Sequence, residues 1–243
     1  MDPRTSQKRL FHHPSIAPKV VILDPALAKM TPDWVWFSTG IRAIDHCVET
    51  IASSFSTRGA NNEAARGLEK LISGLLRCKN GGDDTSARLD AMIGARLSMT
   101  AVDAGIPMGG SHAIGQQLGV LGVPHGYTSC VMCPFVMRYN LPANSEKQAW
   151  IASLIWRIPE AAHVLENHGL RGKLDSDLCE VLDKLFRELG MPRSLKEVGI
   201  DPGENEVILR DIARKTLCSR WAKTNSRPLE TEEQVTEILR MAV

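Results

Sequence analysis

Thr39-Gly-Ile-Arg-Ala-Ile-Asp-His-Cys-Val-Glu49 carries a helical repeat on two faces at once. Ile41, Ile44, Val48 and Ile51 fall on one arc of a helical wheel, the spacing of a helix that packs into a core. Arg42, Asp45, His46 and Glu49 fall on nearly the opposite arc. Arg42 and His46, four positions apart, can converge on one point. A charged helix face ordinarily meets water, so periodicity alone reads this second arc as solvated.

The same period recurs on both sides. Upstream, Thr31-Pro32-Asp33 reads as a helix start, with Thr31 as the cap and proline in the first turn. Gly40 is expected to break or bend the pattern before a helix from about 41 to 54. Downstream, helical runs are expected at about 61–78, 86–104, 110–119, 126–139, 145–156, 176–189, 204–216 and 231–243. Gly105 should cap the second of these and Pro107 should stop it. Only Lys19-Val-Val-Ile-Leu23, short and β-branched, reads as a strand. The expected architecture is therefore all-α: a multi-helix bundle over residues 31–243, with an N-terminal arm over residues 1–30 that holds one short strand.

The bulk properties narrow the function classes. With Lys+Arg 29 against Asp+Glu 28, the net charge is +1 over 243 residues. That balance offers no electrostatic reason to expect nucleic acid or a membrane surface as partner. No run approaches the roughly 18 apolar residues of a membrane span. The N-terminus, MDPRTSQKRLFHHPS, is polar where a secretory signal is greasy. A cytoplasmic setting is expected, with the six cysteines as reduced thiols.

A second informative stretch is Gly109-Gly-Ser-His-Ala-Ile-Gly-Gln-Gln-Leu-Gly119, followed by Val123-Pro-His-Gly126. His112 and His125 each stand at a helix start, where the dipole favours the neutral imidazole, a hydrogen-bonding or metal-ligating form. Taken singly, each is an ordinary capping histidine. Together with His46 they form a candidate three-imidazole cluster.

The order of these motifs resembles the C-terminal helical half of the iron-containing alcohol dehydrogenase and maleylacetate reductase family, whose wider kin are dehydroquinate synthase-like. The resemblance rests on Asp24-Pro-Ala-Leu27, Thr31-Pro32, Gly40-Ile-Arg-Ala-Ile-Asp-His46, His112-Ala-Ile-Gly-Gln-Gln-Leu-Gly119, Pro124-His-Gly126 and Asn225-Ser-Arg-Pro228. It implies a helical fold and a site that gathers His46, His112 and His125. Two departures stand out. The family's aspartate metal ligand corresponds to Arg42, which is permanently charged and repels a cation. A second family histidine corresponds to Gln116. The resemblance also implies glycine-rich nucleotide-binding segments, which this sequence lacks, and no other phosphate-binding loop replaces them.

Arg42, His46, His112 and His125 are thus the candidate catalytic residues, with Asp45, Glu49 and Gln116 expected to touch substrate. No cofactor is expected: Arg42 argues against iron or zinc, and NAD(P) is not expected to bind this chain alone. A metal, were one held, would rest on His46, His112 and His125. The leading expectation is a repurposed non-redox enzyme that moves protons on a small carbonyl or carboxylate metabolite by isomerisation, dehydration, aldol-type cleavage or cyclisation. The alternatives are a dehydrogenase- or reductase-like chain that borrows its nucleotide site, and an inactive interaction module. A homodimer is expected. Cys130 and Cys133 read as a buried structural pair, Trp34 and Trp36 as packing residues, His12 and His13 as solvent-facing, and Arg210, Arg214 and Lys215 as a solvated face.

Overall fold

The computed structural model describes residues 13–16, 18–81, 84–170, 177–201, 203 and 206–243. They fold as helices α1 (Pro25–Ala28), α2 (Asp33–Ala52), α3 (Arg58–Gly81), α4 (Thr85–Ser98), α5 (Thr100–Asp103), α6 (Gly110–Val120), α7 (His125–Trp156), α8 (Pro159–Asn167), α9 (Leu178–Glu188), α10 (Val207–Leu217), α11 (Arg220–Thr224) and α12 (Glu232–Met241). The all-α expectation holds. The strand does not form: Lys19–Leu23 is irregular, and Val20, Val21 and Ile22 are exposed. A strand needs a neighbour's N–H and C=O groups, and nothing among the described residues supplies them.

α2 is the axis of the bundle, packed against α3, α4 and α7. Its apolar arc behaves as the period demands: Ile41, Ile44, Val48 and Ile51 are buried. The helix begins at Asp33, one residue later than a Thr31 cap would place it. Gly40 does not break it. A Cβ there would lie 2.7 Å from both δ-carbons of Leu75, so the glycine lets α3 approach closely.

α3 and α4 form the most intimate pair. Leu68, Leu71 and Leu75 of α3 are buried, as their spacing implies. Asp84 caps α4, its carboxylate accepting from Ala87 N–H at 2.9 Å. The helix stops at Ser98, and the last turn of the expected 86–104 run separates as α5 before Gly105 at φ 78°.

The two runs expected at 126–139 and 145–156 join as α7, with a kink at Asn144 (φ −148°, ψ 33°) two residues after Pro142. α9 packs on α7, while α10 lies against both α6 and α12. Thr231 and Gln234 start α12 with a reciprocal capping box. No helix among the described residues is long and apolar enough to cross a membrane.

Several smaller expectations are met. Cys130 and Cys133 are buried free thiols. Trp36 is half-buried under the Arg88 guanidinium, 4.8 Å from its ring centre, while Trp34 is half-exposed, edge-on to Tyr127 at 6.1 Å. Arg210, Arg214 and Lys215 are exposed, the latter two paired with Asp211. His13 is exposed; His12 lies outside the described residues.

Candidate functional site

Most of the polar arc of α2 is shut away from water, and His46 is half-buried. Arg42, Asp45 and Glu49 are 8%, 0% and 3% exposed, because the start of α6 and the first turns of α7 close over them. Two glycines permit that closure. A Cβ at Gly126 would stand 2.7 Å from the Ser38 backbone on α2, and one at Gly109 would meet Glu49 Oε1 at 3.0 Å.

Glu49 organises the start of α6. Its Oε2 accepts from the Gly109 N–H at 2.8 Å, and its Oε1 accepts from the Ser111 N–H at 2.8 Å. These are donors that a helix start leaves without intrahelical partners. Oε2 also lies 2.8 Å from His112 Nδ1. Every partner of this carboxylate is a donor, so Nδ1 carries the hydrogen and Nε2 keeps its lone pair. Burial pushes the Glu49 carboxyl up to about 7, against the pull of the Gly109 and Ser111 N–H groups and the Arg42 charge.

Asp45 sits one turn earlier. Its Oδ2 accepts from the hydroxyls of Ser111 at 2.7 Å and Ser129 at 2.6 Å, and lies 3.5 Å from His112 Nδ1. Ser129 in turn accepts from Arg42 Nη1 at 3.0 Å, and Thr128 accepts from the same nitrogen at 3.4 Å. Arg42 is therefore tied to Asp45 through a serine rather than by a direct ion pair. Burial raises the Asp45 carboxyl and lowers the Arg42 guanidinium, while the carboxylates of Asp45 and Glu49 favour the charged form of Arg42.

The imidazoles do converge. The rings of His46 and His112 lie 4.7 Å apart at 33°, and His125 is close enough for its charge to depress both. Burial is the main cause of a His112 value near 3, and it holds His46 well below the usual histidine range as well. Both rings are neutral near pH 7. His112 Nε2 and His46 Nδ1 are buried and find no hydrogen-bond partner among the described residues. His125, at the start of α7, is exposed.

The three residues expected to touch substrate each hold an intramolecular bond. Asp45 and Glu49 lie behind the imidazoles, their bonded oxygens engaged by hydroxyls and backbone, because the donors of α6 and α7 need those acceptors. Gln116 Oε1 accepts from the Ser219 hydroxyl at 3.3 Å, linking α6 to α11. The sequence reading also passed over Ser111, Ser129, Asn140, Asn225 and Trp221. Asn225, in the Asn-Ser-Arg-Pro segment, accepts from Gly110 N–H and Asn140 and so ties the chain's last third to the site. The indole of Trp221 stands edge-on to His112 at 5.7 Å. Trp221 also lines a cavity of about 350 Å³ with Val102, Ile106, Pro107, Met108 and Thr224.

Residues 36–243 match the C-terminal model of the Fe-containing alcohol dehydrogenase family. The chain belongs to that family. It is 37% identical to dehydrogenase ALT3 of Alternaria alternata over 98% of this chain and 65% of that protein. It is 30% identical to maleylacetate reductase 1 of Cupriavidus pinatubonensis, over 93% of this chain and 57% of the relative. The crystal structure of maleylacetate reductase from Rhizobium sp. strain MTP-10005 superposes with a TM-score of 0.77 at 25% identity, over 96% of this chain and 59% of that one. The chain thus spans less than two thirds of the length of these relatives.

The family's metal poses a test of donor chemistry. Asp45, Glu49 and His112 offer ligand atoms within 4.8 Å of one another. Both Glu49 oxygens, Asp45 Oδ2 and His112 Nδ1 are already hydrogen-bonded, and Asp45 Oδ1 is the one carboxylate oxygen of the triad without a partner among the described residues. The unpartnered nitrogens of His46 and His112 are suitable donors, and the group beside them is a guanidinium, whose fixed charge opposes a cation.

Proposed function

We propose that this chain is the substrate-side helical part of an oxidoreductase that interconverts an alcohol and a carbonyl compound. Residues 31–243 would form the substrate-side domain and residues 1–30 an arm leading from a nucleotide-binding part. The observation that carries this reading is the pair of neutral imidazoles, His112 buried and His46 half-buried, 4.7 Å apart with unpartnered nitrogens, beside a guanidinium and a cavity lined by Trp221. Such a pocket grips a polar oxygen and leaves room for an apolar substituent. The named relatives support the redox assignment, because they are a dehydrogenase and reductases. The lyase, isomerase and cyclase readings find no support among them.

A nicotinamide nucleotide would supply the hydride. The residues of this chain would then meet the substrate oxygen and settle where its proton goes. Arg42 N–H groups would stabilise charge on that oxygen. Glu49 holds His112 in the tautomer that presents Nε2. His125, exposed at the mouth, can exchange protons with water. Trp221 and the cavity beside it would hold the substrate's apolar end.

The test is incubation of the chain with a panel of aldehydes, ketones and oxo-carboxylates, with and without reduced nicotinamide nucleotide, read by mass spectrometry and by ligand-detected NMR. The expected result is binding that His112→Ala weakens at least about 10-fold, with a product that gains two hydrogens only when nucleotide is present. Conversion of a carbonyl compound without nucleotide would overturn the proposal in favour of proton chemistry alone. Absence of any binding that depends on His112 would overturn it in favour of an interaction module.

A further inference from the structure

We infer that the Arg42 guanidinium occupies the place of the cation in this family's site, so that this chain binds no metal and meets its substrate oxygen with arginine instead. The inference rests on the oxidoreductase reading only for the identity of that oxygen. The room for the guanidinium is built. α6 carries Gly115 where a side chain would displace a residue that holds it: a Cβ there would come within 2.9 Å of Thr128 Oγ1, and would touch Arg42 Nη1 at an ordinary 3.8 Å. Ser129 and Thr128, from the first turn of α7, fix Nη1. Asp45 sits behind Ser129 and Glu49 one turn further on, so two carboxylates flank the positive charge from inside the bundle.

The guanidinium lies on the same face of α2 as His46, one turn away, and its charge reaches both His46 and His112. A divalent ion held by His112 Nε2 and His46 would find a single carboxylate oxygen without a partner, Asp45 Oδ1, and a fixed positive charge as neighbour. That charge weakens binding, since ligand charge and local potential set the affinity of a hard or borderline cation. The same potential suits a carbonyl oxygen gaining negative charge, and arginine can donate to it through more than one N–H. Both oxygens of Glu49 and Oδ2 of Asp45 are engaged by the donors of α6 and α7, which leaves Asp45 Oδ1 as the one carboxylate oxygen here without a partner among the described residues. The engaged oxygens support the arginine and the imidazole, and a metal that took them would have to dismantle that set.

The test uses zinc and needs no turnover. The chain and its Arg42→Asp variant are equilibrated with Zn²⁺, desalted and analysed for metal, with circular dichroism confirming that both are folded. Wild type is expected to retain less than about 0.1 equivalent. R42D, which restores an anionic ligand beside His46, is expected to retain about one equivalent, lost again in R42D/H112A. Should R42D fail to fold, Arg42→Asn removes the repulsion alone and is expected to raise zinc affinity at least about 10-fold. Stoichiometric zinc in wild type that disappears with His112→Ala would overturn the inference. So would uptake that is unchanged when Arg42 is replaced by aspartate or asparagine. Because metal retention is read without substrate or nucleotide, this result stands apart from the fate of the redox proposal.

Discussion

The seam between α3 and α4 and the pocket between α2, α6 and α7 are both interior, and they are built on opposite rules. At the seam the helices touch through glycine, alanine and leucine; Lys70 and Arg77 reach across to Asp90 at the rim, and the buried Arg88 of α4 lies over Trp36 of α2. In the pocket the charges are inside. Arg42, Asp45, Glu49 and His112 are all buried, and the buried nitrogens of His46 and His112 have no partner among the described residues. A seam of the first kind follows from removing apolar surface from water. A pocket of the second kind opposes folding unless each group is satisfied, so the groups left over mark where a ligand is met.

Breaking the pocket from within should have the largest effect. Glu49→Ala removes the acceptor for two backbone N–H groups and for His112, leaving three buried donors unsatisfied. The expected loss is about 3–5 kcal/mol in chemical denaturation. A loss under about 1 kcal/mol would mean that α6 starts without this anchor. Glu49→Gln sharpens the comparison. It keeps the shape but sets an amide among donors, and it should release His112 from the single tautomer that ¹⁵N NMR would otherwise report.

The same contrast explains what could be read in advance. α2's apolar arc was legible because burial of that face is written in its own period. The polar arc looked solvated because the helices that cover it arrive from far along the chain; His112 is 63 residues from Glu49. His46, His112 and His125 were recognisable as a set from motif order, whereas Ser129 lies beyond Gly126 with nothing local to single it out. Gly40 looked like a breaker because propensity weighs the lone helix and not the leucine that fills its missing side chain. The Lys19–Leu23 stretch had strand composition without a strand's partner. α8 carried its signals, proline at the first position and Glu160 in the first turn, and was passed over; α1 and α11 are too short to show a period.

The seam can be broken by one methyl group. A Cβ at Gly74 would lie 2.6 Å from Ala87 O and 2.8 Å from Ala91 N, and backbone cannot swing aside as a side chain can. Gly74→Ala should therefore cost about 1–3 kcal/mol, outweighing alanine's helix advantage of roughly 1 kcal/mol. Gly119, in α6, provides the control, since a Cβ there meets nothing within 4 Å. Gly119→Ala should be neutral or stabilise by about 0.5–1 kcal/mol. If thermal unfolding moved both variants in the same direction, close packing would not be what requires glycine at the seam.

The rim of the seam should yield the smallest and most conditional effect. Asp90 is pushed up by partial burial, but its bonds to Lys70 and Arg77, with their charges, outweigh that and hold the carboxyl below its ordinary value. A folded-state value below the unfolded one means that ionised Asp90 contributes stability above about pH 4, and that this contribution is lost as pH falls further. The partners are roughly a third exposed, so solvent screening keeps the contribution small. Asp90→Asn should cost about 0.5–1 kcal/mol near neutral pH, less in high salt, and almost nothing below about pH 3. A wild-type-minus-variant difference that stays constant across that range would place the effect in packing rather than charge. The rim would then obey the same rule as the glycines beneath it.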